Sequence, residues 1–169
     1  PMPALVEGWV MIDDLDQFLI RLDEISEDHG VACQAFDARM VVDRAHLERA
    51  VELANRAFDR GENVARDRGV EIMLYAAGRR QIDQALAMGV DEGTGPLIVV
   101  IDGGDDGAGE PAAADGVRDL LDAETPTIGE CDRERVMDFF DVTDVELGAV
   151  DGDLTDLVRE RVALLTVNR

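Results

Sequence analysis

The chain has 169 residues, room for one domain or a small two-lobed one, and 46% of them are hydrophobic, which supports a buried core and excludes a disordered chain. Its 38 acids oppose 16 bases, every one of them Arg, for a net charge of −22; such a surface repels itself in dilute buffer and settles when molar salt shortens the Debye length to about 3 Å. Asp outnumbers Glu by 24 to 14 and the acids run from Glu7 to Glu160 without forming a tail, so composition points to the salt-filled cytoplasm of a halophilic archaeon rather than to an acidic protein that binds basic partners.

Residues 4–12, rich in Val, Leu and Trp, predict a first strand. Asp13 is placed to cap the helix that follows and Gly30 to end it, with Leu15, Phe18, Leu19, Leu22 and Ile25 as its apolar stripe. Residues 31–36 read as a second short strand. Asp43 then caps a helix to about residue 60, closed by Gly61, with Leu47, Val51, Leu53 or Ala54, and Phe58 along one face. Asn63 is set to cap a helix over 64–77 that Gly78 breaks, and 79–88 to form another that Gly89 stops. Residues 97–101 make the clearest strand. Residues 103–116, dominated by Gly, Ala and Asp, read as a flexible acidic loop. Helices close the chain over 116–122, 132–140 and from 153 on. Leu154, Leu157, Val158, Val162 and Leu165 line the last one, although 163–167 could instead be a closing strand. Three or four strands, mixed or antiparallel, among five or six helices make one α/β (α+β) domain over residues 1–169, in an order that is not doubly wound.

No run of about 18 apolar residues marks a membrane span. The start of the chain lacks a basic segment followed by an apolar one, so no signal peptide is expected. Cys33 and Cys131 lie far apart without metal-ligand spacing and read as buried thiols of a reducing compartment. His29 sits at a helix end, and His46 three residues after Asp43; neither has a second His or a Cys at ligand spacing. A catalytic pair of His46 with Asp43 is the weakest of the readings, and no nucleophile elbow or phosphate loop is present. Asp102, Asp105 and Asp106 could hold a hard cation, but a solvated loop is the expectation. The chain is therefore read as a non-enzyme without metal or cofactor.

The charge map says more. Between Arg39 and Arg80 nine Arg face seven acids, so this stretch is basic while the remainder is strongly acidic. Arg79, Arg80 and Gln81 are predicted to open a helix just after Gly78, where free N–H groups and two guanidinium groups would suit a carboxylate or phosphate. The competing expectation is a set of surface ion pairs.

Two stretches carry a resemblance. Residues 32–47 read ACQAFDARMVVDRAHL, and residues 71–86 read EIMLYAAGRRQIDQAL. Together with residues 133–140 and 157–165 they resemble the small accessory subunit of the KEOPS complex, the family of the PRPK-binding protein, over nearly the whole chain except about 103–127. The resemblance implies a non-catalytic cytoplasmic subunit of the complex that installs threonylcarbamoyladenosine in tRNA. It implies direct contact with the kinase-like subunit, indirect contact with the other subunits, and recruitment of tRNA through its single-stranded CCA end. RNA ends are held by Arg contacts to phosphate and by contacts to bases. Arg80 and Gln81 match the family pattern, and Arg79, His46, Arg66 and Arg44 join them by charge and proximity. Ile82, Leu74 and Met73 are expected in the core. Phe18 and Leu22, or Phe139 and Phe140, are candidates for the partner face. An adaptor that touches only the kinase-like subunit and no RNA is the alternative.

Overall fold

The computed structural model describes residues 2–104, 106–149 and 153–167. The first strand, β1 (Ala4–Ile12), spans the expected residues. Helix α1 (Leu15–His29) is capped by Asp14, whose carboxylate accepts from the Gln17 N–H at 3.2 Å; the cap is one residue later than expected, because Asp14 is the residue with extended backbone. Gly30 ends α1 in the left-handed conformation. Strand β2 (Ala32–Asp37) leads through a short 3-10 turn into α2 (Arg44–Asp59), capped by Asp43.

Helix α3 (Arg68–Ala77) begins four residues later than the sequence suggests, and Asp67 rather than Asn63 caps it. The buried Glu71 carboxylate accepts from the Val64 and Ala65 N–H groups, which gives those donors partners outside a helix. The predicted helix over 79–88 is shorter still: α4 (Ile82–Ala85), followed by one 3-10 turn. Strand β3 (Gly93–Asp102) is longer than its apolar stretch.

The expected loop over 103–116 is half helix. Helix α5 (Glu110–Arg118) starts inside it and ends before residue 122. Its N-cap, Gly109, has φ +83, and a Cβ there would stand 2.2 Å from the His29 carbonyl oxygen. The two-residue β4 (Ala123–Glu124), α6 (Arg133–Phe139), α7 (Asp144–Ala149) and α8 (Leu154–Val167) complete the chain. Helix α8 is helical through 163–167, not a closing strand. The fold is α+β, with eight α-helices rather than five or six among the described residues.

The four strands form an antiparallel sheet in the order β2-β3-β1-β4. Strand β3 is buried on both faces. Leu97, Val99 and Ile101 meet Phe18 and Leu22 of α1 and Ala113 and Val117 of α5. Ile98 and Val100 belong with Phe36, Leu47, Ile72, Val136 and Val158 on the other side. Helices therefore cover both faces, and β3 reads as an unbroken apolar run because neither face is wet.

No helix among the described residues is long and apolar enough to cross a membrane. Acidic residues dominate the exposed positions, and their mutual repulsion opposes folding until salt screens it. The melting temperature, followed by circular dichroism, is expected to rise by several degrees from dilute to molar KCl. A fall over that range would contradict the salt-adapted reading.

Candidate functional site

Helix α3 ends in a turn built from three hydrogen bonds. Gly78, at φ +62, donates from its N–H to Tyr75 O, and Arg79 N–H donates to Leu74 O, the paired bonds of a Schellman end. The next carbonyl, Ala76 O, lies 2.8 Å from His46 Nε2. A Cβ on Gly78 would approach the Arg161 carbonyl oxygen of α8 at 3.1 Å, so the turn seats directly on that helix.

From this turn Arg79 reaches α6. Its guanidinium donates to Phe139 O and lies 4.8 Å from the centroid of the Phe139 ring, a cation–π contact. Arg80 follows, exposed and engaged with neighbouring groups. Arg161 of α8 donates to Phe140 O at 3.3 Å and to Glu146 at 2.7 Å. Arg79, Arg80 and Arg161 thus converge on one open pocket of about 300 Å³, whose walls include Phe140, Asp141 and Leu164.

The remaining candidates divide. Gln81 is exposed and precedes α4, but its Oε1 accepts from Gln84, and it makes no side-chain cap. Arg79 and Arg80 lie before α4, a single turn, so the expected arginine-bearing helix tip is replaced by the end of α3 seated against α8. Arg44 is exposed and paired with Glu48 at 2.9 Å. Arg66 is exposed between the Glu71-held loop and α3, away from the residues lining the pocket.

His46, expected among the RNA contacts, is fully buried, with 0% exposure. Its Nδ1 accepts from the Val42 N–H at 3.3 Å, which leaves Nε2 as the protonated nitrogen that donates to Ala76 O. Arg68, close to Arg66 in sequence, is also structural. It binds Asp102 at 2.6 Å, Asn55 at 3.1 Å and the Asp102 carbonyl at 2.8 Å. Asp102 is therefore a partner of Arg68; Asp105 lies outside the described residues, and among those described no cluster of three or more His, Cys, Asp or Glu is arranged to hold a metal ion.

Burial holds the His46 imidazole below its ordinary value of 6.5, and the Arg159 charge adds to this, while the Ala76 hydrogen bond and Asp43 oppose it. The folded state then binds fewer protons than the unfolded state once pH falls below the unfolded value. Stability from this group is full above pH 6.5 and declines below it until His46 is charged in the fold as well. The melting temperature is expected to drop from about pH 7.5 to about pH 5.5, and His46→Gln to flatten that drop. Equal slopes in both proteins would contradict the assignment.

The two thiols are free and half-buried rather than buried. Burial, with the charge of Asp23 adding to it, pushes the Cys33 thiol up to about 11. Of the four partner-face candidates, Phe18, Leu22 and Phe140 are buried in the core. Phe139 is half-buried beneath Arg79. Leu74 and Met73 are core as expected, but Ile82 is 45% exposed.

A family model described as kinase binding protein CGI-121 matches residues 16–166, nearly the whole chain. No curated protein matches the chain.

Proposed function

We propose, since the chain belongs to the CGI-121 family of kinase-binding proteins, that it is the small non-catalytic subunit of a KEOPS complex acting on tRNA. In this reading it docks on the kinase-like subunit in the cytoplasm of a halophilic archaeon. It also helps present tRNA for threonylcarbamoyladenosine formation by holding the single-stranded CCA end. The observation that carries the RNA part is the convergence of Arg79, Arg80 and Arg161 on an open pocket in a chain of net charge −22. Guanidinium groups offer forked donors to phosphate, and the pocket volume suits a small ligand rather than a duplex.

A surface this acidic repels RNA at long range, and molar salt shrinks the gain from counterion release. Affinity must then rest on short-range hydrogen bonds and contacts to bases, which a half-enclosed pocket supplies better than an open basic face. For the kinase-like partner, exposed Leu19 and Leu86 line one groove and are the apolar surface this reading assigns to it. The adaptor reading without RNA contact draws its support from Arg79, whose guanidinium is already engaged by Phe139.

A shift assay at high KCl separates the two readings. The assembled complex is expected to bind tRNA bearing the CCA end more tightly than tRNA lacking it. Arg79→Ala with Arg80→Ala should weaken the former by about tenfold or more, as expected for lost charge-assisted hydrogen bonds. Equal binding of both tRNAs, or unchanged tRNA modification by the double variant, would leave the adaptor reading standing.

A further inference from the structure

The end of α3 decides where Arg79 and Arg80 point. Backbone donors fill Leu74 O and Tyr75 O, and the Ala76 carbonyl is met by a side chain from another helix, His46 of α2. The stretches around His46 and around Arg79 thus meet in space at a bond that spans thirty residues of sequence.

His46 is itself held from every side. Its backbone N–H donates to the Asp43 carboxylate at 2.8 Å, and its Nδ1 accepts from Val42. The ring lies edge-on to Phe140, 6.0 Å between centroids. Phe140 lines the arginine pocket, and its carbonyl accepts from Arg161. Asp43 also accepts from Arg159 of α8. The imidazole therefore touches the α3 end and the pocket wall, while the backbone N–H of the same residue shares Asp43 with Arg159 of α8.

We propose that His46 is a positioning residue for the arginine pocket: its Nε2–H closes the α3 end on Ala76 O and so holds the turn that presents Arg79 and Arg80. The role rests on the reading of that pocket as an RNA site. An apolar ring at this position would fill the same space but leave the Ala76 carbonyl without this donor.

Two near-isosteres separate the nitrogens. Gln places a donor near the position of Nε2 but lacks the Nδ1 acceptor, whereas Asn supplies an acceptor near Nδ1 and cannot reach Ala76. Amide hydrogen exchange at 78–80 in the isolated chain reads the turn. Binding of CCA-bearing tRNA by the assembled complex at fixed high KCl reads the pocket.

His46→Asn is expected to speed exchange at 78–80 and to weaken tRNA binding about tenfold, the scale of one lost buried hydrogen bond. His46→Gln should keep both near wild type, with faster exchange confined to Val42. If His46→Asn does not fold, His46→Gln still decides, because fast exchange at 78–80 in that variant would overturn the proposal. Unchanged exchange in a folded His46→Asn would also overturn it, as would opened exchange with unchanged tRNA affinity. A wild-type complex that ignores the CCA end would overturn the pocket reading and the positioning role with it, even where exchange shows the tie to be real.

Discussion

Arg68→Ala is expected to cost about 3 kcal/mol of folding stability, the low end for breaking a buried ion pair, because Arg68 keeps some contact with water. The Asp102 side chain is only 3% exposed and that of Arg68 26%. Removing the guanidinium leaves a carboxylate inside the protein with Asn55 as its main remaining donor. It also uncouples α3 from α2 and from the end of β3, which meet at this cluster. Urea unfolding at high KCl reads the loss as a lower midpoint at unchanged slope. Arg66→Ala, two residues earlier and exposed, should shift stability by no more than about 0.5 kcal/mol. Similar small effects for both would show that the Asp102 cluster does not hold the fold. The comparison also separates two kinds of arginine within the basic stretch, one that holds the core and one that faces solvent.

Gly109→Ala is the second large effect. Left-handed backbone costs a residue with a side chain about 1–2 kcal/mol. Here the added methyl would also meet the His29 carbonyl oxygen at 2.2 Å, so α5 would have to lift from the end of α1. The sum is expected to reach about 3 kcal/mol or more, because a backbone atom cannot swing aside. Gly104→Ala is the control: it shares φ +83, but nothing lies within 4 Å of its built Cβ, so only the conformational cost remains. Thermal melts of the two variants should differ by the contribution of the clash. Equal melting temperatures would mean that α5 is not seated on α1 as described.

Legibility in the sequence followed the source of each signal. β1, β2, α1 and α2 were readable within a residue or two because their patterns are local: alternation or helical spacing, an Asp cap, a Gly stop. Helix α5 was hidden because Gly, Ala and Asp look like a loop, and its stability comes from packing Ala113, Ala114 and Val117 against the sheet. β4 is two residues long and exists only by pairing with Gly8 and Trp9. The start of α3 was misplaced because Glu71 supplies hydrogen-bond partners to Val64 and Ala65 from further along the chain.

The candidate site was half legible. Arg79 and Arg80 stand out by charge, but they sit in the turn that Gly78 makes after α3, and the helix expected to start with them begins only at Ile82. Arg161 was missed, since no spacing rule ties α8 to residues eighty positions earlier; its i, i+3 and i+4 apolar neighbours read only as a core stripe. His46 reads in the sequence as one polar residue of a basic helix, and in the structure it is fully buried. Its burial follows from a tertiary contact with Ala76, which the local pattern does not encode.

The order of strands also bears on how the molecule comes off the ribosome. Residues 4–12 leave the exit tunnel well before residues 93–101, their partner strand. Until that partner emerges, β1 has no neighbour, and its Val and Ile side chains stand bare. Pairing so distant in the chain is slow to nucleate, and exposed half-made sheets invite association between nascent chains. Association between such half-made chains is the hazard that this strand order brings to synthesis.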